Sequence, residues 1–89
     1  MKQIDDSLKR LVGKNIRQFR IESGYRQGEF AKMLGITSTT LSKIENGETD
    51  IKLTLISKAS FILGKPIQDF IFEQETLVLS KEKLKNLIV

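Results

Sequence analysis

The chain contains no cysteine and no histidine. Without cysteine there is no disulfide and no thiolate metal site, and such a composition fits a reducing compartment. Without histidine the usual zinc ligand and the usual acid–base group are both gone, so the serines and threonines lack their commonest activator. The carboxylates do not replace them. Asp5 and Asp6 are adjacent and exposed, Glu73 and Glu75 lie in a polar linker, and neither pair has a metal or general-acid setting. No glycine-rich phosphate loop, internal repeat or low-complexity tract occurs. No run approaches the ~20 apolar residues that span a bilayer, and MKQIDDSLKR at the start has no apolar stretch of the signal-peptide kind. These absences predict a protein that is no enzyme, uses no cofactor or metal, and is soluble and cytoplasmic with no membrane partner.

What is present amounts to one small domain. A chain of 89 residues with 39% apolar content can bury roughly 60–65% of its unfolded surface, enough for a core without cross-links. Net charge is +4, and its distribution matters more than its sum. Lys9, Arg10, Lys14, Arg17 and Arg20 fall in one stretch without an acid, whereas Lys81, Lys83 and Lys85 are cancelled by Glu73, Glu75 and Glu82. A basic body points to a polyanionic partner. Charge alone fits a solvated basic helix face equally well.

Apolar spacing predicts helices throughout the first 72 residues, and no strand. Ile4, Leu8, Leu11, Val12, Ile16 and Phe19 form a helical stripe over about 7–23, which Gly24 stops. A second helix over about 27–34 buries Phe30, Ala31 and Leu34. It starts poorly, with Arg26 where a capping serine or threonine is favoured and Gly28 in the first turn. Gly35 permits a sharp turn, Ile36 anchors it, and Thr37 caps a third helix that runs to about Asn46 and closes at Gly47. A fourth helix over about 52–63 buries Leu53, Leu55, Ile56, Ala59, Ile62 and Leu63. Pro66 suits the first turn of a short fifth helix through Phe70 and Ile71. Tyr25 and the five phenylalanines are assigned to the core or to the lead-in of helix two.

The third helix carries the functional signal. Ser38, Thr39, Ser42, Lys43 and Asn46 share one face, opposite Leu41 and Ile44. A polar surface face is ordinary, but serine and threonine are mediocre helix formers where glutamate, lysine or alanine would stabilise more. Short hydroxyl side chains let a backbone approach a groove floor, and Lys43 is suited to guanine O6 and N7. Ser38, Thr39, Ser42 and Lys43 are therefore the candidate base readers of double-stranded DNA. Arg10, Lys14, Arg17 and Lys52 are candidates for phosphate contact.

The segments GKNIRQFRIESGY, QGEFAKMLGIT and LSKIENG, followed by an apolar helix ending in LG and then PIQDF, together resemble the lambda repressor and Cro-like helix-turn-helix family. The resemblance covers residues 11 to 71. It implies an all-α fold, a five-helix DNA-binding domain over residues 1–72, with residues 73–89 as an apolar extension. It also implies that Gln27 and Asn46 meet DNA phosphates, and that Arg20 and Glu45 form a buried ion pair tying helix one to helix three. The chain departs from the family pattern at Arg26, Ile51 and Lys52, where a serine or threonine cap, a proline and another such cap are common. The reading face also lacks the Gln and Arg of well-known members, so the target sequence does not carry over.

In the extension, Leu77, Val78, Leu79, Leu84, Leu87 and Ile88 are too apolar for a free end. They predict a dimerisation element, since one small domain gains useful specificity from a second copy about 34 Å away on the duplex. The resulting expectation is a homodimeric transcriptional regulator, a repressor. Two alternatives stand beside it: an antitoxin whose tail wraps a toxin, and a helix-turn-helix protein-interaction module that does not read DNA.

Overall fold

The computed structural model describes residues 2–74; the predicted extension, apart from its first two residues, lies outside the described residues. The described part is all-α, with four α-helices followed by a 3-10 helix: α1 (Lys2–Glu22), α2 (Gln27–Leu34), α3 (Ser38–Glu45), α4 (Leu53–Leu63) and then Ile67–Ile71. The expectation of five helices is thus corrected to four α-helices and one short 3-10 turn. Pro66 stands ahead of that turn as its cap rather than inside it. The physical reason lies in where the carbonyls go. The buried Asn15 side chain donates through Nδ2 to the carbonyls of Phe70 and Phe72, each at 2.9 Å, and more weakly to Asp69 at 3.4 Å. Those acceptors are held by α1, while Phe70 is drawn into the core, and five residues leave no room to build an α-helical ladder.

The core is one cluster of Val12, Ile16, Phe19, Phe30, Ala31, Leu34, Leu41, Ile44, Ile56, Ala59, Leu63 and Phe70. Phe19 and Phe70 meet edge to face, with ring centroids 5.1 Å apart. Tyr25 is half-buried and stacks on Phe30. Three residues expected in the core lie open instead: Phe61 is 89% exposed, Leu53 71% and Phe72 51%. Leu55 and Ile62 are only partly buried. α4 therefore buries a narrower stripe than its apolar content suggests, Ile56, Ala59 and Leu63 at helical spacing, and leaves the rest outside.

α1 packs against α3 and the 3-10 helix, and α2 packs against α3. A side chain would prevent the first of these contacts. A Cβ on Gly13 would lie 2.0 Å from the carbonyl oxygen of Ile44, so α1 touches the backbone of α3 directly.

Candidate nucleic-acid interface

The turn between α2 and α3 sets the geometry. Gly35 takes the left-handed conformation, φ 77°. Its N–H donates to Lys32 and that of Ile36 donates to Ala31, at 3.1 and 3.0 Å, which closes α2 while the chain reverses. An L-side chain at Gly35 would be strained in that region. Two residues later the Thr37 hydroxyl accepts the N–H of Thr40 at 3.1 Å and starts α3. The start of α2 is weaker, as its sequence implied. Arginine has no acceptor to offer as a cap, and only the returning bond is made, from the Arg26 N–H to Glu29 Oε1 at 2.9 Å.

α3 turns Leu41 and Ile44 into the core and leaves Ser38, Thr39, Lys43 and Asn46 exposed, with Ser42 half-buried. These five and Gln27 line one shallow open depression, whose rim Glu48 completes. Of the sequence-predicted phosphate contacts, Gln27 and Asn46 thus adjoin the base-reading candidates. Arg10 lies on α1 with its stem against Gly47, just past the end of α3. Lys14 and Arg17 are exposed on the same side of α1, at helical spacing from Arg10. Lys52 is exposed at the start of α4, where it makes no capping bond. Lys14, Arg17 and Lys52 form no ion pair within the described residues, so no carboxylate there neutralises them.

Behind this face lies a polar network. Arg20 donates to Glu45 twice, Nε to Oε2 at 2.7 Å and Nη2 to Oε1 at 3.1 Å, and its Nη1 donates to the Tyr25 carbonyl at 2.9 Å. Both side chains are nearly sealed, 9% and 2% exposed. Glu45 Oε1 also accepts from Gln27 Nε2 at 3.1 Å. The Glu45 carboxylate therefore joins the last residue of α3 to α1 and to the first residue of α2, and Arg20 adds the loop after α1. Desolvating two charges offsets most of their attraction, so such a pair contributes orientation more than stability. The resemblance leaves the Gln27 contact unstated and gives that amide to a phosphate; here it is already engaged from behind.

Sequence reasoning missed Asn15, Gly13 and Glu48. For the first two a signal existed. Asn15 follows Val12 by three and precedes Phe19 by four, a polar residue inside an apolar stripe. Gly13 sits inside a helix, where glycine is unfavourable by about 1 kcal/mol relative to alanine unless something passes close by. Nothing in the local pattern singles out Glu48.

Among the described residues no helix is long and apolar enough to cross a membrane. The helix-turn-helix family model matches residues 16–70, and the chain belongs to that family. It is 31% identical over 78 residues to the cryptic phage CTXphi transcriptional repressor RstR of Vibrio cholerae, covering 88% of this chain and 68% of that protein. It is 30% identical over 66 residues to the HTH-type transcriptional regulator SinR of Bacillus licheniformis, covering 73% of this chain. The match spans only 60% of SinR's own length. Among solved structures, a hypothetical transcription factor from Neisseria superposes with a TM-score of 0.74 at 26% identity, over 83% of this chain and 85% of that one. The chain is a helix-turn-helix protein of the transcription-regulator kind.

Proposed function

We propose that the chain is a sequence-specific, double-stranded DNA-binding repressor that works as a homodimer in the cytoplasm, with α3 in the major groove. The observation that carries this reading is convergence: Ser38, Thr39, Ser42, Lys43 and Asn46 line one open depression on a helix whose back is locked to α1 and α2. The hydroxyls and Lys43 face base edges, while Gln27, Asn46, Arg10, Lys14, Arg17 and Lys52 take backbone phosphates on either side. A rigid mount suits this role, because groove contacts discriminate only when the side chains arrive in fixed positions. Residues 73–89 hold the two copies together through their apolar side chains. Repression is supported by the name of the Vibrio cholerae relative, a transcriptional repressor.

The test is selection of bound duplexes from a random pool, run beside a mass measurement of the free protein. The expected result is a twofold-symmetric site with half-sites ~34 Å apart and a dimeric mass. Failure to enrich any duplex above competitor at low salt would overturn the DNA reading. A chain ending at residue 74 that stays dimeric would overturn the role of the extension.

A further inference from the structure

We infer that residues 77–79 of the extension seat in an apolar groove on the body of their own chain, between α1 and the 3-10 helix, and so fix where the rest of the extension departs. This deepens the role proposed for residues 73–89, and it rests on that reading for its consequence in the dimer but not for the seating itself.

The groove is a hollow of about 540 Å³ bounded by α1, the loop ahead of α4, α4 itself and the end of the 3-10 helix. Val12 and Ile56 are buried and make its floor. Leu8 and Ile71 stand at its sides, 48% and 47% exposed, and Ile51 is half-buried. The two charged residues that line it among the described residues neutralise each other, with Lys9 Nζ 3.0 Å from Asp50 Oδ1. Apolar walls with a neutralised rim suit an uncharged, apolar entrant. Leu8 and Val12 lie one turn apart on the side of α1 turned away from Arg10, Lys14 and Arg17. Filling the groove therefore leaves the basic face open.

The chain itself leads to this place. Ile71 lines the groove, and three residues later Gln74 is tied down, its Nε2 donating to the carbonyls of Asp69 at 2.7 Å and Phe72 at 3.1 Å. Asn15 holds the Phe72 carbonyl as well, at 2.9 Å. The point from which the extension starts is thus fixed next to the groove. Leu77, Val78 and Leu79 carry no charge and begin three residues beyond Gln74, a span of at most ~11 Å. A segment on so short a tether meets the groove at an effective concentration in the millimolar range, which a second copy in dilute solution does not match. The same advantage falls with tether length, so Leu84, Leu87 and Ile88 compete less well and remain for the second copy. With its first part seated, the extension leaves the body in one direction. Two copies joined by its end then hold their α3 helices at a set separation, as fixed half-site spacing requires.

The chain has no cysteine, so an engineered pair reports without background. In the full-length protein, Leu8→Cys is combined in turn with Leu77→Cys, Val78→Cys and Leu79→Cys, and a second series starts from Ile51→Cys. Three positions in the extension are needed because a disulfide forms only over a narrow range of Cα separation. The control replaces the groove position by Phe61→Cys, on a different hollow along α4. Leu8 is exposed, so its variants are expected to fold, and circular dichroism checks this. On mild oxidation at least one groove pair should close within the chain roughly tenfold faster than the control, read as the intact mass of the denatured, unreduced monomer. Groove pairs that close no faster than the control overturn the inference. So does a covalent dimer joining position 8 of one chain to position 79 of another when the two single variants are mixed, since the partner's extension would then fill the groove. The native mass of the wild-type protein tests the dimer separately: an intrachain bond in a monomeric protein leaves the seating standing and removes the dimer role.

Discussion

The two ends of the molecule are held by different physics. Around α3, the parts are fixed by directional bonds among Arg20, Glu45, Gln27 and the Tyr25 carbonyl, each with a defined angle and length. Around α4 and the 3-10 helix, most of the hold comes from packing: Phe19 against Phe70, Ile56 and Ala59 in the core, and α4 starting at Lys52 with no side-chain cap. Asn15, Ser60 and Gln74 are polar exceptions there, and each binds carbonyls rather than a charged side chain. Packing tolerates changes of shape if volume is kept, whereas a bidentate ion pair tolerates almost none. The surface that needs a fixed orientation is therefore the one built from bonds that specify orientation.

The largest effects should come from substitutions that attack each kind of support directly. Arg20→Ala strands the Glu45 carboxylate in the core and should destabilise by about 3–5 kcal/mol, read as a fall in denaturant midpoint. Phe70→Ala at the other end should cost about as much through its cavity. The comparison sharpens with milder changes. Phe70→Leu should cost less than Phe70→Ala, while Arg20→Lys should remain severe because an ammonium cannot make the fork to both Glu45 oxygens and still reach the Tyr25 carbonyl. Replacing both charges, Arg20→Met with Glu45→Leu, should restore stability to within about 1–2 kcal/mol of wild type and still leave DNA binding weak. If the double variant binds DNA as tightly as wild type, the network does not orient α3.

Gly13→Ala comes next. The new methyl would overlap the Ile44 carbonyl, with 2.0 Å to the oxygen, so α1 and α3 must separate. The expected loss is about 1–3 kcal/mol despite alanine's better helix propensity, with a further loss of DNA affinity because α3 is displaced. A variant as stable as wild type would mean that α1 can slide over α3 freely, and the rigid mount would be lost as an explanation.

How far the sequence reveals all this differs between the same two regions. The bounds of α2 and α3, the turn at Gly35 and the Thr37 cap were legible because each is a local matter: apolar spacing, a positive φ, a hydroxyl one residue ahead of a helix. The grouping of Ser38, Thr39, Ser42, Lys43 and Asn46 was legible for the same reason, since helical geometry alone puts them together. The rear was read less well. Carbonyls of Ile67–Ile71 are held by Asn15, some fifty residues away in the chain, and although Asn15 stands out in its own apolar stripe, the pattern around 67–71 does not point back to it. Phe61 and Leu53 were misplaced because an apolar helix can bury only the arc its neighbours cover, and which arc that is depends on packing. The Arg20–Glu45 contact was implied by the family resemblance; the Gln27 bond to the same carboxylate spans 18 residues of chain, and no local spacing marks it.

Lys43→Ala should separate recognition from stability. Lys43 is exposed and its side chain makes no ion pair or hydrogen bond with a described residue, so its removal should move stability by less than about 0.5 kcal/mol. Affinity for the selected duplex should fall by about 1–3 kcal/mol, with preference relaxed at one guanine per half-site. Equal loss on all sequences would move Lys43 from base reading to phosphate contact.

The smallest effect is also the most diagnostic for the basic face of α1. Arg17→Ala should leave the fold and the selected sequence unchanged, because Arg17 is exposed and unpaired among the described residues and lies on α1, which in the proposed complex stays outside the groove. On the proposed reading its contribution is release of condensed counterions. Removing it should flatten the log–log dependence of affinity on salt by about one unit per protomer bound, a change visible across a salt titration even when affinity at low salt barely moves. Lys14→Ala and Arg10→Ala are measured the same way. Arg10 differs in one respect: its stem packs on Gly47, so Arg10→Ala also removes a contact at the end of α3 and should weaken binding at every salt concentration. A flat series, in which none of the three changes the slope, would show that α1 stands away from the backbone and that the phosphate contacts come from α3 and the start of α4 instead.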